Sequence, residues 1–426
     1  STSMKIALLH YASPPTVGGV ELTLLHHAQL MADAGYAVSI ITGSGERFDQ
    51  RIPVHVFSEL GSRDANVLKV KQQLDAGQVT LDFERLREHI SEKLRARLRD
   101  VDVLIAHNVF TLHKNLALTA ALHDMTQPSA LPSPLKAEGA EMRVIAWHHD
   151  LAWTNELYRS QLHAGYPWNL LREPWPDVQQ VTVSKTRQVE LARLYGIDQN
   201  SIEVIPPGID PADFFRWTPL TRELAAKLNL LSADMILLHP ARITKRKNIE
   251  LGLRVLAQLR QVSQLDARLI VSGPPGAHNP ANDEYLQSLL SLRRELNLDQ
   301  SAHFLYECGA EDQLMIPDDA LADLYTLADA LFFPSQQEGF GIPLLEAGLT
   351  RLPIFCADIP VLHETGQADV HYFSPDADPI ELARLIEREL TANRSYRLHR
   401  RLRRDYSWHR IFIERIVPLL TKRTQP

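Results

Sequence analysis

The stretch of sequence that decides the fold is Pro334–Leu349, PSQQEGFGIPLLEAGL. It follows an apolar run, Ala330–Phe333, that indicates a short buried strand, and its second half favours a helix. Pro343 suits the first helical position, where its missing N–H group costs nothing. Gly339–Gly341 is therefore predicted to be a strand-to-helix turn with free backbone N–H groups. Such a turn is an anion site, and phosphate is its usual ligand.

Two carboxylates flank this turn, Glu338 just before the glycines and Glu346 within the predicted helix. A carboxylate would repel a bound phosphate, so we expect both acids to contact the neutral hydroxyls of a sugar. The alternative is that they are only acids placed favourably at the positive end of a helix. This stretch alone does not decide between the two interpretations.

The composition indicates a globular protein of about two to three domains. The chain has 426 residues, of which 45% are hydrophobic and 23% charged, and its net charge of −7 argues against a general nucleic-acid binder.

Because no run of about 18 apolar residues occurs, we expect no transmembrane segment. Cys308 and Cys356 have no metal-ligand spacing, which indicates reduced core thiols and a cytoplasmic location.

The N-terminal half alternates apolar strands with amphipathic helices, which predicts a parallel sheet. Its first strand, Ile6–Leu9, is followed by Gly18 and Gly19 at the start of a helix that ends at Gly35. The glycine pair could bring backbone N–H groups to a diphosphate, although a tight turn without a ligand is the simpler interpretation. Residues 126–140 are rich in proline and predict a surface loop.

A strand predicted at Arg143–Trp147 ends in His148, His149 and Asp150. Polar residues at this position lie where open α/β sheets bind ligands. Adjacent histidines in an extended chain point to opposite sides, so we expect only one of them to face a ligand. A histidine bonded to the backbone is the alternative. We expect no zinc site, because no third ligand is suitably spaced nearby.

The stretch Ile205–Pro211, rich in proline and glycine, marks a boundary between domains. In the second half, the predicted strand Met235–His239 is followed by four cations between Arg242 and Lys247. This cluster would neutralise a diphosphate and stabilise the charge on a leaving phosphate, whereas a solvated basic turn is the alternative. The absence of a Walker A sequence and of GxGxxG weakens the kinase and dinucleotide-binding interpretations.

Taken together, these motifs resemble those of the GT4 family of retaining glycosyltransferases, over nearly the whole chain. The matching segments are the Gly18-Gly19 loop, the linker at 205–210, the pair Arg242 and Lys247, the stretch 338–346, and Tyr406-Ser407-Trp408 in a predicted terminal helix. Ala241 and Asn248 depart from the family pattern, which has glycine at both positions. We therefore expect the basic loop to be stiffer here.

The resemblance implies an α/β protein of the GT-B class, with two Rossmann-like parallel-sheet domains facing each other across a cleft. It implies an acceptor-side domain over residues 4–207, a linker over 208–218 and a donor domain over 219–404. A C-terminal helix over 405–426 would cross back to the first domain.

The resemblance also implies a retaining, metal-independent transfer of a hexose from a nucleotide diphosphate sugar to a hydroxyl acceptor. The donor would be a UDP-, GDP- or ADP-hexose, with no other cofactor. The base, the hexose, the acceptor and the oligomeric state stay open. Acceptor choice would depend on first-domain loops at 58–80 and 151–177.

By the family pattern, Glu346 would hold the ribose, and Arg242 and Lys247 the diphosphate. Glu338 and the turn Gly339, Phe340 and Gly341 would hold the hexose, and backbone around Ile342, Pro343 and Leu344 would add phosphate contacts. The loop of Gly18 and Gly19 would contact the phosphate. His149, which we prefer to His148, would reach the sugar or acceptor together with Asp150. Glu338, His149, Arg242 and Lys247 are thus the predicted catalytic residues.

Two other functions stay open at this point. A GT-B-like sugar phosphorylase is one, although no lysine motif for pyridoxal phosphate is found; a non-catalytic nucleotide-sugar-binding subunit is the other. The basic segment Arg394–Arg404 could make a peripheral contact with anionic lipid, but a solvated helix face is the simpler expectation.

Overall fold

The computed structural model describes residues 3–127 and 141–422, so nearly all of the predicted surface loop at 126–140 lies outside the described residues. The chain divides into two compact units. The first unit takes the chain up to Gly208 and again from Trp408 onward, and the second unit spans Ile209–Ser407.

The first unit is built on a parallel sheet in the order β3-β2-β1-β4-β5-β6-β7. The central strands are buried on both faces, as in β4, where every residue is buried, because helices cover a parallel sheet from both sides. The strands are β1 Lys5–His10, β2 Ala37–Thr42, β3 Val54–Val56, β4 Val103–His107, β5 Arg143–His148, β6 Val178–Thr182 and β7 Glu203–Val204. The helices are α1 Gly19–Asp33, α2 Ala65–Asp75, α3 Leu81–Leu98, α4 Leu116–Thr126 and α5 Lys185–Tyr195.

The second unit is also built on a parallel sheet, in the order β10-β9-β8-β11-β12-β13. Its helices are α6 Pro211–Phe214, α7 Pro219–Lys227, α8 Ile249–Ser263, α9 Ala281–Glu295, α10 Asp318–Leu327, α11 Ile342–Leu349, α12 Pro360–Gly366, α13 Pro379–Ala392 and α14 Arg394–Asp405. Its strands are β8 Met235–His239, β9 Ala267–Val271, β10 Ala302–Phe304, β11 Ala330–Phe333, β12 Ile354–Ala357 and β13 His371–Phe373. The predicted pair of Rossmann-like parallel-sheet domains is confirmed.

The end of the described chain packs on the first sheet. It forms α15 Trp408–Ile411, a π-helical turn Phe412–Ile416 and α16 Val417–Thr421, whose apolar side chains join the core under β1. Arg143 at the start of β5 donates hydrogen bonds to the carbonyls of Leu419 and Leu420, at 2.9 and 2.7 Å, near the end of α16. The prediction that Tyr406 and Ser407 lie in the terminal helix is wrong, because α14 ends at Asp405 and the next helix begins at Trp408.

The segment 58–80, predicted to be a loop, contains the helix α2. Its start is capped by Asp64, whose carboxylate accepts hydrogen bonds from the N–H groups of Asn66 and Val67. Val67, Val70 and Leu74 recur at helical spacing and bury one face. The helix therefore forms through an N-cap and a single apolar stripe on an otherwise polar sequence.

The basic helix α14 uses much of its charge inside the second unit. Arg403 is buried against Asp329, and Arg400 pairs with Asp234 at 2.7 Å. Arg397 donates to backbone carbonyls at the end of α13. These three arginines are thus engaged within the second unit. No helix in the described part of the chain is long and apolar enough to cross a membrane.

Candidate functional site

The predicted site residues of the second unit lie past the carboxyl ends of β8 and β11. These strands are neighbours in the sheet, and the chain leaves them in opposite directions, towards β9 on one side and β12 on the other. Such a reversal opens a crevice where α/β sheets bind ligands. The loop after β8 carries Arg242 and Lys247, and the loop after β11 carries Glu338 and the glycine turn.

A cavity of about 570 Å³ occupies this crevice, within the size range of small-molecule sites. Among its lining residues are eight of the predicted ones: Arg242, Lys247, Glu338, Phe340, Gly341, Ile342, Pro343 and Glu346. Gly339 and Leu344 are not part of the lining, and the Leu344 side chain is buried in the core. The structure therefore brings together two segments that lie about 90 residues apart in the chain.

The turn between β11 and α11 requires glycine at position 341. Gly341 has φ +93°, and a Cβ atom there would lie 2.5 Å from Leu362 Cδ2. The helix begins at Ile342, so Pro343 is its second residue and not its first as predicted. No side chain caps this helix start, Pro343 has no N–H group, and the Leu344 N–H donates to the carbonyl of Gly341 at 3.0 Å, so Ile342 carries the first helical N–H group without a side-chain acceptor.

Lys247 and Glu338 form a nearly buried ion pair beside the cavity. The Lys247 ammonium donates to Glu338 Oε1, and the two side chains are only 11% and 9% exposed. The ammonium also lies 5.4 Å from the centre of the Phe333 ring. Lys247 is therefore not part of a solvated turn, whereas Arg242 and Arg246 in the same loop are exposed.

Asn248 anchors the basic loop to its neighbours. It adopts a left-handed conformation with φ +54°, which asparagine tolerates better than most residues. Its Nδ2 atom donates to the carbonyls of Pro334 at 3.2 Å and Pro375 at 3.1 Å. These two bonds give a physical reason for the expected stiffness of this loop.

Glu346 lies on α11 with Tyr325 of α10 beside it. Burial and the neighbouring Glu346 carboxylate raise the pKa of the Tyr325 hydroxyl above its ordinary value. Tyr325 is 3% exposed and so stays protonated, which leaves it able to donate a hydrogen bond to the carboxylate. Glu346 itself is half-buried, and it keeps access to the cavity that it lines.

The sequence analysis missed a third wall of the cavity, the loop between β9 and α9. Because β9 lies next to β8, the loop after it reaches the same crevice. Asn282 closes this loop by donating to the carbonyl of Gly276 at 2.8 Å. The run of glycine and proline directly after β9 is the feature of the sequence that could have indicated this loop. The unpredicted lining residues are Pro240, Ala241, Thr244, Arg246, Gly276, Ala277, His278, Asn279, Asn282 and Leu321.

In the first unit, His148 and His149 occupy different environments. His148 is fully buried, and its ring nitrogens lie 3.0 Å from Thr111 Oγ1 and 2.6 Å from Gln180 Oε1. His149 is half-buried, and its backbone N–H donates to Asn108 Oδ1 at 2.8 Å. His148 is therefore a structural histidine bonded to side chains, which leaves His149 as the one able to meet a ligand.

The other predicted residues of this unit occupy strand and helix ends. Asp150 is exposed directly after His149, and its N–H also donates to Asn108 Oδ1, at 3.2 Å. Gly19 begins α1 and Gly18 precedes it, with no side-chain cap at this helix start.

Three more histidines cluster around His149, and sequence reasoning did not find them. His10 ends β1, His27 lies on α1 and His107 ends β4, where its Nδ1 atom is 3.1 Å from His149 Nε2. Burial lowers the pKa of His149 to about 3, with a further contribution from His10 and His148. Within the described residues, no three His, Cys, Asp or Glu side chains are arranged to hold a metal ion.

Known proteins resemble this chain over part or most of its length. The mannosylglucosylglycerate synthase of Petrotoga mobilis is 23% identical over 84% of this chain and 83% of its own. The D-inositol 3-phosphate glycosyltransferase of Nocardia farcinica is 32% identical over 42% of this chain and 36% of its own. The crystal structure of WaaG, a glycosyltransferase involved in lipopolysaccharide biosynthesis, aligns over 98% of this chain and 100% of its own, with 16% identity and a TM-score of 0.36.

Two family models divide the chain between them. The model for Glycosyltransferase Family 4 matches residues 17–213, and the model for Glycosyl transferases group 1 matches residues 221–405. Each match ends close to the division between the two units, so each family model falls almost wholly on one of them. The chain thus belongs to the GT4 family, the group 1 glycosyltransferases, and is a glycosyltransferase.

Proposed function

We propose that this glycosyltransferase moves a hexosyl group from a nucleotide diphosphate sugar to a hydroxyl acceptor, with retention of configuration and without a metal ion. The observation that carries the proposal is the cavity of about 570 Å³ in which Arg242 and Lys247 face Glu338 and Glu346. Cations suit a diphosphate, and carboxylates suit the hydroxyls of ribose and hexose. One cavity therefore offers complementary groups to both parts of the donor.

The diphosphate would lie between the basic loop and the start of α11. Arg242 offers a planar pair of N–H donors, and the uncapped helix start adds the backbone N–H group of Ile342 at the positive end of the helix dipole. Lys247 has three N–H donors, so it can keep its bond to Glu338 while donating to a phosphate oxygen. These groups supply the positive charge that a metal ion provides in other transferases.

The two carboxylates would hold the two sugars of the donor. Glu346, with the protonated Tyr325 nearby, would accept hydrogen bonds from the ribose hydroxyls. Glu338 is oriented by Lys247 and would accept hydrogen bonds from the hexose, beside the Gly339–Gly341 turn. In the first unit, Gly18, Gly19 and His149 remain the proposed ligand contacts of that unit.

In the proposed reaction, the bond between the anomeric carbon and the β-phosphate oxygen breaks, and a bond from the acceptor oxygen forms on the same face. The acceptor proton passes to the leaving phosphate. Arg242 and Lys247 stabilise the negative charge on that phosphate as it departs. The products are a glycoside of unchanged anomeric configuration and a nucleoside diphosphate.

The donor is tested first by thermal unfolding of the full chain with UDP-, GDP- and ADP-sugars. Mannosyl donors come first, because the name of a similar protein, the mannosylglucosylglycerate synthase of Petrotoga mobilis, refers to a mannosyl group. A donor that binds only the folded chain raises the unfolding temperature, and the rise grows with the logarithm of the donor concentration above Kd. Stabilisation by none of the three nucleotide classes would contradict the proposed donor site.

The site assignment is tested by calorimetry on Glu346→Gln. Loss of a charge-assisted hydrogen bond predicts binding of the donor weakened by about tenfold or more. The control is Glu364→Gln, an exposed glutamate on α12 that does not line the cavity. Unchanged affinity in Glu346→Gln would remove Glu346 from the site.

Two further measurements test the mechanism. Turnover that survives exhaustive treatment with a chelator is expected, and its loss, with recovery on adding a divalent ion, would contradict metal independence. The anomeric configuration of the product, determined by NMR, should match that of the donor.

A further inference from the structure

His107 and His149 form a bonded pair of imidazoles. His107 ends β4 and is fully buried, and its Nδ1 atom lies 3.1 Å from Nε2 of the half-buried His149. The rings are tilted by 37°, with centres 5.4 Å apart. At this distance one nitrogen donates a proton and the other accepts it. The direction of this bond fixes the position of the remaining proton on each ring.

Both imidazoles are neutral near pH 7. Burial lowers the pKa of His149 to about 3 and that of His107 well below its ordinary value. The charge on either ring is further opposed by His10 from β1 and His148 from β5, and the charge on His107 also by His27 from α1. Each ring therefore carries one N–H group, and two arrangements of the pair have to be compared.

The buried Nε2 atom of His107 distinguishes the two arrangements. It has no hydrogen-bond partner among the described residues. If His149 were the donor, this atom would carry a buried N–H group without an acceptor, which is rare in proteins. The Trp147 ring lies stacked on His107 at 30°, so it faces the plane of the imidazole and not its N–H edge. The favoured arrangement has His107 Nδ1–H as the donor.

We propose that His107 is a positioning residue that holds His149 as the Nδ1–H tautomer, a neutral hydrogen-bond donor to a sugar hydroxyl. That the partner of His149 is a sugar hydroxyl depends on the proposed function. The tautomer of His149 depends only on its contact with His107. With its Nε2 lone pair occupied by His107, His149 cannot take a proton from the acceptor through that atom.

The backbone of His149 is fixed as well. Asn108 accepts from the N–H groups of His149 and Asp150, and it does so from a left-handed conformation with φ +64°. Arg187 Nε donates to the carbonyl of His149 at 3.2 Å. The main chain and one ring nitrogen are thus held, which leaves Nδ1 as the ring nitrogen available to a ligand.

The tautomer is tested by long-range ¹H–¹⁵N correlation spectra of the histidine rings in the full chain. The His149 signals are assigned from their loss in His149→Gln. Wild type should show a protonated Nδ1 and an unprotonated Nε2 on His149. The opposite assignment would overturn the proposal without bearing on whether the protein transfers sugar.

Variants of His107 separate positioning from a structural role. His107→Leu should convert the single His149 tautomer into a mixture, and His107→Asn, which can present an N–H donor near the former Nδ1 position, should restore it. His113→Asn is the control, since His113 is another buried histidine of the first unit that contacts Gln161 and not His149. A His149 tautomer that is unchanged in His107→Leu would overturn the proposal.

Activity gives the second readout. We expect His107→Leu to lower kcat by about tenfold, the equivalent of one hydrogen bond, and His107→Asn to recover most of it. Recovery of the tautomer in His107→Asn without recovery of kcat would refute the role in sugar contact. If wild type transfers no sugar at all, the proposed function fails and the spectra still decide the tautomer.

Discussion

The crevices beyond corresponding strands of the two sheets carry different side chains. In the second unit, the crevice past β8 and β11 is lined by the cation Lys247 and the carboxylate Glu338. Both β1 and β8 end in a buried neutral histidine, His10 and His239, but in the first unit the neighbouring strand β4 also ends in a histidine, His107. The strand order reverses next to β1 in one sheet and next to β8 in the other. One topology therefore supports a charged site and an uncharged site.

The difference shows two ways of keeping polar groups at a partly buried strand end. A nearly buried charge needs a partner of opposite sign, and Lys247 has one in Glu338. A buried histidine needs none, because it loses its proton and stays neutral. The charged site is suited to a diphosphate, and the neutral site is suited to hydroxyl groups, which need orientation more than charge.

The largest expected effect comes from removing one partner of a buried charge pair in the second unit. Arg403 and Asp329 have side chains 1% and 0% exposed, at 3.3 Å. Arg403→Met leaves a buried carboxylate without its main partner, so we expect the free energy of unfolding to fall by about 3–5 kcal/mol. Urea unfolding of the variant and of wild type measures this change in the free energy of unfolding.

Arg401→Met is the control for this variant, since Arg401 is exposed on the same helix. It should change stability by less than about 0.5 kcal/mol. If Arg403→Met and Arg401→Met were equally stable, buried charges in the second unit would not depend on their partners.

The next effect is on turnover. Lys247→Met keeps the apolar stem of the side chain but removes the ammonium, so we expect kcat to fall by about 10²–10³-fold. Lys245→Met is the control, because Lys245 is exposed in the same loop and does not line the cavity. A loss of activity that is equal in both variants would mean that the loop acts only through its net charge.

The site of the second unit could be predicted because its signals are local. Glu338, the glycines and Glu346 lie within nine residues, and a glycine with positive φ at a strand-to-helix turn has a sequence signature. The loop from Gly276 to Asn282 was missed because its residues belong to no such motif. It reaches the cavity only because β9 pairs with β8.

The site of the first unit could be predicted only in part. The strand ending in His148 and His149 was visible, but His27 and His107 lie on distant segments, and only the sheet order brings them together. A histidine at the end of a strand does not indicate in the sequence which other side chain it will contact. For the same reason, the tautomer of His149 could not be derived from the sequence.

The third prediction concerns acid stability of the first unit. Burial lowers the pKa of His27 to about 3, so the unfolded chain binds a proton at this residue between about pH 6.5 and 3 and the folded chain does not. The free energy of unfolding therefore falls as the pH falls through this window, by about 1.4 kcal/mol per pH unit for this residue. His27→Phe should remove that contribution and flatten the pH dependence of unfolding.

His409→Phe is the control, because it also removes one histidine from the first unit, but an exposed one. Urea unfolding midpoints are measured from pH 7 to pH 4 for both variants and for wild type. The slope of the midpoint against pH is then compared among them. A slope in His27→Phe as steep as in wild type would mean that His27 becomes protonated in the folded protein, and the neutral character of the histidine cluster would be wrong.

The smallest effect is expected at Asn248, where this chain departs from the family's glycine. Asn248→Gly removes two hydrogen bonds to Pro334 and Pro375 but relieves the left-handed conformation, so we expect a net loss of about 1 kcal/mol in stability. Because Lys247 and Glu338 stay paired, kcat should change by less than about threefold. Hydrogen exchange of the loop should increase. A large loss of turnover would show that stiffness of the loop, and not only its charge, positions the cations.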